Sequence, residues 1–170
     1  MRKRLLLVIV CAAALLSGFM TFKTVARIRA RQKVHIETLQ LLPFFAMDGT
    51  RFDSAAFTNF KGRLIIMFFM PDCEHCQYMA QEMKKNARDI ADCKIVMVTV
   101  ADSESIVAFD KQYRLNELPN VLILRDKYAR FPALFGTGVV PSFFIYSAGK
   151  LTRKITGETR IQNLLGDSKQ

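Results

Sequence analysis

The chain alternates between apolar runs typical of β-strands and longer stretches with apolar residues at helical spacing. Residues 64–69 form an unbroken apolar run, the pattern of a strand buried on both faces. Further strands are predicted at residues 94–100, 121–124, 142–146 and 151–156. Helices are predicted at residues 73–90, 103–113, 128–135 and 158–165, the third of them short or irregular because it contains Pro132. This alternation of strands and helices predicts an α/β protein with a largely parallel sheet.

Two tight turns are predicted at the borders of this sheet. Asp48-Gly49 favours a short hairpin between residues 41–45 and 51–52, because this dipeptide readily adopts the positive φ angles of a tight turn. A short helix capped by Asp53 is expected to follow and to end at residues 61–62. Ala148-Gly149 joins the last two strands so closely that they must be antiparallel, so the sheet is predicted to be mixed.

The first 36 residues have a different composition from the rest of the chain. The predicted organisation is a basic N-terminus at 1–4, a transmembrane signal anchor at 5–22, a basic juxtamembrane linker at 23–36 and a globular domain at 37–168. The uncharged residues 5–22 are just long enough to cross a bilayer core about 30 Å thick as a helix. A cleaved signal peptide is the alternative, but the apolar run continues past both candidate processing sites. Cys11 is interpreted as an apolar residue of the membrane helix.

The net charge of +10 belongs mostly to this N-terminal part. The first 33 residues carry eight Lys or Arg and no acid, whereas the rest of the chain carries 17 bases and 15 acids. A nearly balanced domain lacks the basic surface that nucleic-acid binding requires, so no nucleic-acid partner is expected. Basic residues flank both ends of the anchor and leave its orientation open. We place the domain outside the cytoplasm, at the periplasm or cell exterior, on the hypothesis that its closely spaced cysteines exchange disulfides, which persist there.

Cys73 and Cys76 form the one closely spaced pair among the four cysteines. Cys73 falls where a buried strand is predicted to end and a helix to begin. The unpaired N–H groups and the positive end of the helix dipole stabilise a thiolate at that position. Cys73 is therefore the predicted nucleophile. Cys76, one turn further along the helix, is predicted to resolve a mixed disulfide by intramolecular attack.

The residues between the two cysteines are expected to tune this chemistry. A partly protonated His75 favours the thiolate, whereas the negative charge of Glu74 opposes it.

Half of a zinc site is the alternative interpretation of the cysteine pair, but zinc normally requires four ligands. Cys93 and His35 are the other soft ligands in the domain, and neither belongs to a second paired motif. No metal and no cofactor beyond a Cys73–Cys76 disulfide is expected, and Cys93 is predicted to pack as a buried apolar residue.

Two segments together carry a family resemblance. Residues 62–69 lead into Pro71-Asp72-Cys73-Glu74-His75-Cys76, and Val139-Val140-Pro141-Ser142-Phe143-Phe144-Ile145-Tyr146 with Gly149-Lys150 follows downstream. In this order they resemble the thioredoxin superfamily, and within it the TlpA/ResA-like, membrane-anchored redoxins. The resemblance covers roughly residues 40 to 165. It implies a three-layer fold, with a central mixed sheet flanked by helices and preceded by the transmembrane helix, and thiol-disulfide oxidoreductase activity.

The same resemblance implies roles for residues around the cysteine pair. Pro141 is expected to be a cis-proline that faces the disulfide, and the backbone of Val140 to pair with an extended substrate segment. Met70 and Asp72 are expected to contact the substrate. The family would also supply an apolar rim for partner docking, for which Phe69, Met70 and Val140 are candidates, although core packing is the default for each of them. The implied partners are thiols and disulfides of exported proteins, such as apocytochrome c, and an upstream membrane electron donor or acceptor. The analogy favours a reductase, although a His at position 75 also occurs in oxidants.

Departures from the family pattern leave alternatives open. Some relatives place a buried acid six residues before the first Cys or three after the second, where this chain has Met67 and Met79. Glu82 is a weak candidate for the missing acceptor of the Cys76 proton.

A thiol peroxidase of the peroxiredoxin type would demand Thr or Ser at position 70, where this chain has Met. The remaining alternatives of the same fold are a copper-delivery module and a redox-inactive binding domain.

Overall fold

The computed structural model of the protein describes residues 11, 14–27, 42–53, 57 and 60–166. The chain divides into two units, residues 1–34 and 35–170. Residues 14–27 of the first unit are helical. Across the described residues, no helix combines the length and hydropathy needed to cross a membrane. Part of the predicted anchor at 5–22 and most of the linker at 23–36 lie outside the described residues. Both ends of the predicted domain at 37–168 also lie outside them.

The second unit contains five strands and four helices among its described residues. The strands are β1 (Arg63–Phe68), β2 (Cys93–Thr99), β3 (Val121–Arg125), β4 (Ser142–Ser147) and β5 (Lys150–Thr156). The helices are α1 (Glu74–Lys85), α2 (Ser103–Tyr113), α3 (Phe131–Phe135) and α4 (Ile161–Leu165), with a 3-10 turn at Leu115–Glu117. Every strand predicted from the sequence is present within one or two residues of its expected bounds.

The strands form one mixed sheet in the order β3-β2-β1-β4-β5. The central strand β1 runs parallel to β2 and antiparallel to β4, with Ile65 opposite Ile95 on one side and Ile145 on the other. β5 pairs antiparallel with β4 and forms one edge of the sheet, where it is mostly exposed and carries Lys150, Arg153 and Lys154. Ala148 and Gly149 have positive φ angles of 48° and 74°, which confirms the predicted tight turn between β4 and β5.

Successive residues of β1 point into two separate apolar layers. Ile65 and Met67 pack with helices α1, α2 and α4, whereas Leu64, Ile66 and Phe68 pack with α3 and the segment around Phe44. All five of these side chains are at most 4% exposed. The unbroken apolar run is therefore buried on both faces, as its pattern predicted. The result is a three-layer α/β arrangement with the sheet in the middle.

Three predicted helices are shorter in the structure. The helix predicted at 73–90 ends at Lys85, because the backbone of Asn86 leaves the helical conformation (φ −104°, ψ 32°); the Asn86 side chain also donates a hydrogen bond of 2.7 Å to the Glu82 carbonyl. The helix predicted at 128–135 begins at Phe131, since Ala129 has a positive φ of 49° and cannot continue a right-handed helix. The helix predicted at 158–165 begins at Ile161, and residues 158–160 form a loop instead.

The segment before β1 agrees with the sequence in part. The predicted hairpin around Asp48-Gly49 is a tight loop closed by a single antiparallel bridge between Phe45 and Arg51. Phe45 also bridges Arg125, which fastens this loop to the end of β3. Of the helix predicted after Asp53, residues 54–56 and 58–59 lie outside the described part of the chain.

Phe131 is the centre of a stack of aromatic rings on the α3 side of the sheet. Its ring lies 4.3 Å from that of Phe68 and 4.1 Å from that of Phe135, with both pairs nearly parallel. The backbone N–H of Phe131 donates a hydrogen bond of 2.6 Å to the carboxylate of Asp126, which is itself only 1% exposed. The backbone N–H of Asp126 donates to the Thr99 carbonyl at 2.7 Å. These contacts tie the ends of β2 and β3 to α3.

Cys93 begins β2 as a buried residue that is 4% exposed, and it is a free thiol. Its predicted packing as a buried apolar residue is confirmed. Burial raises the pKa of the Cys93 thiol, and the neighbouring Arg63 offsets part of this increase.

Replacing Phe131 with Ala should lower the free energy of unfolding by about 3 to 5 kcal/mol, because it leaves a cavity beneath Phe68 and Phe135. The measurement is urea unfolding of the reduced protein followed by circular dichroism. Val107→Ala on the exposed face of α2 serves as the control, with an expected change within about 0.5 kcal/mol. A loss below about 1 kcal/mol for Phe131→Ala would contradict the central place of this ring.

Stability of the reduced protein should fall as the pH rises above about 8.5, where thiols in an unfolded chain ionise. The folded chain keeps the Cys93 proton because burial raises its pKa, so the unfolded state then binds fewer protons and unfolding becomes easier. Below that pH the contribution of Cys93 is fully present. Urea unfolding at pH 7.5 and pH 10 measures the loss. Cys93→Ala should lose less stability over this interval, and an equal loss would contradict the role of Cys93.

Candidate active site

Cys73 lies where the chain leaves β1 and enters α1. After β1 the Phe69 N–H bonds to the Val98 carbonyl at 3.0 Å, and the Cys73 N–H closes a turn onto the Met70 carbonyl at 3.2 Å. Cys73 is the N-cap residue of α1, with extended backbone angles (φ −85°, ψ 117°). The sequence therefore places the first cysteine correctly, at the junction between strand and helix.

The helix start leaves donors available around Cys73. Its side chain makes no capping hydrogen bond, while its carbonyl accepts bonds of 3.0 Å from the N–H groups of Cys76 and Gln77. The N–H groups of the first helical turn and the positive end of the helix dipole point toward this position. A negative charge on the Cys73 sulfur is stabilised by both.

The two cysteines lie in different environments although they are close. They are 3.1 Å apart, and both are free thiols. Cys73 is partly exposed, whereas Cys76 is fully buried among the apolar side chains beneath α1. Burial raises the pKa of the Cys76 thiol strongly, and the neighbouring Cys73 side chain raises it further, against a lowering by a hydrogen bond from the Met70 backbone. One sulfur can therefore meet a partner while the other is kept protonated.

The loop before β4 lies against the first cysteine. The Cys73 Sγ is 4.0 Å from the carbonyl oxygen of Val140, and the Val140–Pro141 peptide bond is cis, as the resemblance implied. Pro141 is buried and Val140 is partly exposed, while Val139 is 54% exposed beside them. The structure thus brings Val140 and Pro141 to Cys73, although more than sixty residues separate them in the chain.

The other residues expected at the rim divide into two groups. Asp72 and Glu74 are exposed beside Cys73, and Met70 is partly exposed with its Sδ 3.6 Å from the Thr99 hydroxyl. Phe69, in contrast, is fully buried and packs against Phe109 with ring centroids 5.0 Å apart. Phe69 therefore packs in the core on the α1 side of the sheet, which was its default interpretation, and does not contribute to a docking rim.

His75 has a partner that the sequence did not reveal. Its Nδ1 lies 2.8 Å from Oε2 of Glu158, in the loop between β5 and α4. A further unpredicted contact is made by Gln77, whose side-chain amide donates to the Pro71 carbonyl at 2.9 Å and fastens the turn before Cys73. The signal for Glu158 was its position just after β5, because β5 pairs with the strand that follows Pro141.

Met67 and Met79 occupy the positions where some relatives have a buried acid, and both methionines are fully buried. The side chain of Glu82 interacts with Asn86 and Lys85 at the far end of α1, so its contacts lie away from Cys76. Within the described part of the chain, no group of three His, Cys, Asp or Glu side chains could hold a metal ion. His35 lies outside the described residues.

Comparisons with solved structures show a thioredoxin-like α/β fold. A secreted disulfide oxidoreductase of Mycobacterium tuberculosis, described as homologous to Escherichia coli DsbE, is 21% identical with a TM-score of 0.59, over 70% of this chain and 85% of that one. DsbF of M. tuberculosis is 19% identical with a TM-score of 0.60, over 72% and 89% of the two chains. StoA of Bacillus subtilis is 15% identical with a TM-score of 0.56, over 72% and 92%.

The comparison with curated proteins finds no match to the sequence. The comparison with protein families matches residues 39–154 to the AhpC/TSA family. The matched range is more than half of the chain and includes Cys73, Cys76 and Pro141. The protein therefore belongs to the AhpC/TSA family of redoxins.

Proposed function

We propose that this protein is a thiol-disulfide oxidoreductase that acts through Cys73 and Cys76. The observation that carries the proposal is the pairing of a partly exposed sulfur at the start of α1 with a buried sulfur one turn further along, 3.1 Å away. Disulfide exchange needs an accessible thiolate and a second thiol that can reach the mixed disulfide. The exposure of Cys73 and its short distance to Cys76 support this assignment.

In the reducing direction, the Cys73 thiolate attacks one sulfur of a partner disulfide. A Cys73–partner bond forms, the partner disulfide breaks, and its second sulfur leaves as a thiolate. Cys76, after losing its proton, attacks the Cys73 sulfur. This step releases the partner sulfur that was bound to Cys73 and forms the Cys73–Cys76 disulfide. Two electrons pass to the partner, and its two sulfurs take up two protons. The same steps in reverse oxidise a partner dithiol.

The surroundings of Cys73 suggest how a partner binds. The partly exposed Val140 presents backbone next to Cys73, so an extended segment of the partner could hydrogen-bond there and present its disulfide to the sulfur. Pro141 closes this position from within, and Met70 and Asp72 border it. Glu74 and a protonated His75 would place opposite charges beside the thiolate and tune its stability.

We further propose that the partners are exported proteins, such as apocytochrome c, and that the protein reduces their disulfides. Residues 5–22 would anchor it in the membrane, with the domain outside the cytoplasm. A membrane electron donor would reduce the Cys73–Cys76 disulfide after each turnover. The apolar, basic-flanked N-terminal sequence supports the anchor. The likeness to a structure described as a secreted disulfide oxidoreductase supports the location.

A thiol peroxidase is the second candidate, and membership of the AhpC/TSA family favours it. A peroxidase of the peroxiredoxin type would need a hydroxyl three residues before the reactive cysteine, to donate a hydrogen bond. Met70 stands at that position, and a thioether cannot donate one. We therefore rank disulfide exchange first.

Cys73→Ser should abolish reduction of a model protein disulfide, because it removes the attacking sulfur. Cys76→Ser should keep the first attack but accumulate a mixed disulfide through Cys73, since the resolving thiol is gone. Insulin reduction and non-reducing mass spectrometry measure the two effects. Cys93→Ala is the matched control and should retain activity. Full activity of Cys73→Ser would exclude the proposed chemistry.

Hydrogen peroxide should be consumed slowly by the reduced full-length protein. Met70→Thr should accelerate consumption, because the new hydroxyl can donate a hydrogen bond beside Cys73. Stopped-flow oxidation of the reduced thiols measures both rates, with Cys73→Ser as the blank. Rapid, repeated turnover of peroxide by the unaltered protein would favour the peroxidase instead.

A further inference from the structure

Residues 157–159, which we name the rim segment, contact both halves of the candidate site. The Gly157 N–H donates a hydrogen bond of 2.8 Å to the carbonyl of Pro141. Two residues later, the Thr159 N–H lies 3.4 Å from Sδ of the buried Met79 in α1. The rim segment is thereby fastened to the loop that carries Val140 and to the helix that carries the cysteines.

Glu158 lies between these two anchor points and faces His75. The 2.8 Å distance between its Oε2 and the His75 Nδ1 fits a charge-assisted hydrogen bond in which the ring nitrogen donates. The side chains are 50% and 65% exposed, so solvent screens the attraction and its strength is modest. The fixed backbone on both sides of Glu158 nevertheless reduces the entropy lost when this contact forms.

We propose that Glu158 is a positioning residue for the Cys73/Cys76 couple, which rests on the proposed function. Its carboxylate holds the His75 ring at the start of α1 and stabilises the ring's protonated form. His75 adjoins Cys76 in sequence and is two residues from Cys73, in the first turn of α1. Positive charge on this ring therefore lies close to the sulfur that ionises in the reduced protein.

The consequence for the redox equilibrium follows from charge. Reduction of the Cys73–Cys76 disulfide adds two electrons and, with Cys73 as a thiolate, one proton. The reduced form thus gains a negative charge that the oxidised form lacks. Protonated His75 stabilises the reduced form selectively, and the Glu158 carboxylate holds that ring at the start of α1. Glu158 also repels the thiolate directly, but that effect does not depend on His75.

Other charged groups near His75 act in the background of this pair. Glu74 precedes it in α1, and Asp72 and the Cys73 sulfur lie at the start of the helix. The rim segment contributes Glu158, and it is followed by the exposed Arg160. The groups other than Glu158 remain unchanged when Glu158 alone is replaced, so a comparison with and without His75 isolates the pair.

The test is a double-mutant cycle with Glu158→Gln and His75→Asn in the full-length protein. Gln keeps an oxygen that can accept the ring hydrogen bond but removes the charge. Each variant is equilibrated with glutathione at pH 6, 7, 8 and 9, where oxidation of the dithiol by one glutathione disulfide yields two glutathione thiols. The measured quantity is the equilibrium constant.

We compare the change that Glu158→Gln causes in the equilibrium constant when His75 is present with the change it causes in the His75→Asn background. Near pH 7 the change with His75 present should disfavour the reduced form by about 1.5- to fivefold relative to the change without it. This coupling should disappear by about pH 9, where an ordinary imidazole is neutral. Glu158→Asp should recover part of the effect. Glu104→Gln, an exposed change of the same type on α2, should show no coupling with His75.

Two results would overturn the proposal. One is an equal effect of Glu158→Gln with and without His75, which would mean direct repulsion of the thiolate. The other is no effect in either background. In both cases the variants would still exchange disulfides with glutathione, so failure of this inference is distinguishable from failure of the proposed function, in which Cys73→Ser would exchange as well as the unaltered protein.

Discussion

The burial of β1 on both faces is the constraint on which the rest of the site depends. Its side chains fill two apolar layers, so the strand cannot slide or rotate without exposing one of them. The residues that follow it therefore emerge at a fixed point at the end of the sheet. Because α1 packs its own apolar side over the same strand, its first turn is fixed there as well. The position of Cys73 follows from these two packing requirements.

The same packing gives two identical side chains opposite chemical properties. Cys73 caps α1 at the surface, where backbone N–H groups and solvent stabilise charge. Cys76 lies one turn deeper in a layer that contains Met79 and Met83, and burial keeps its proton in place by raising its pKa. Burial along one helix is the largest cause of this raised pKa, and the charge of Asp72 adds a smaller contribution. The fold thereby makes one thiol accessible from solvent and encloses the other.

The sequence predicted the features that depend on local pattern. β1 and α2 were located closely, because an unbroken apolar run and an uninterrupted helical period leave few alternatives. The end of α1 was missed because the backbone turns away at Asn86, where no Gly or Pro marks the end in the sequence. The contact between His75 and Glu158 joins residues 83 positions apart, and it exists only because the β4–β5 hairpin returns the chain to the helix start. The place of Phe69 was left open between core and rim, because an apolar residue after a strand fits both.

The free edge of β5 has a consequence for the protein's behaviour at high concentration. An unpaired edge strand can recruit a strand from another molecule and extend the sheet without limit. Lys150, Arg153 and Lys154 lie along this edge, so two copies that approached each other there would bring like charges together. Electrostatic repulsion at this border therefore opposes the pairing of two copies through β5.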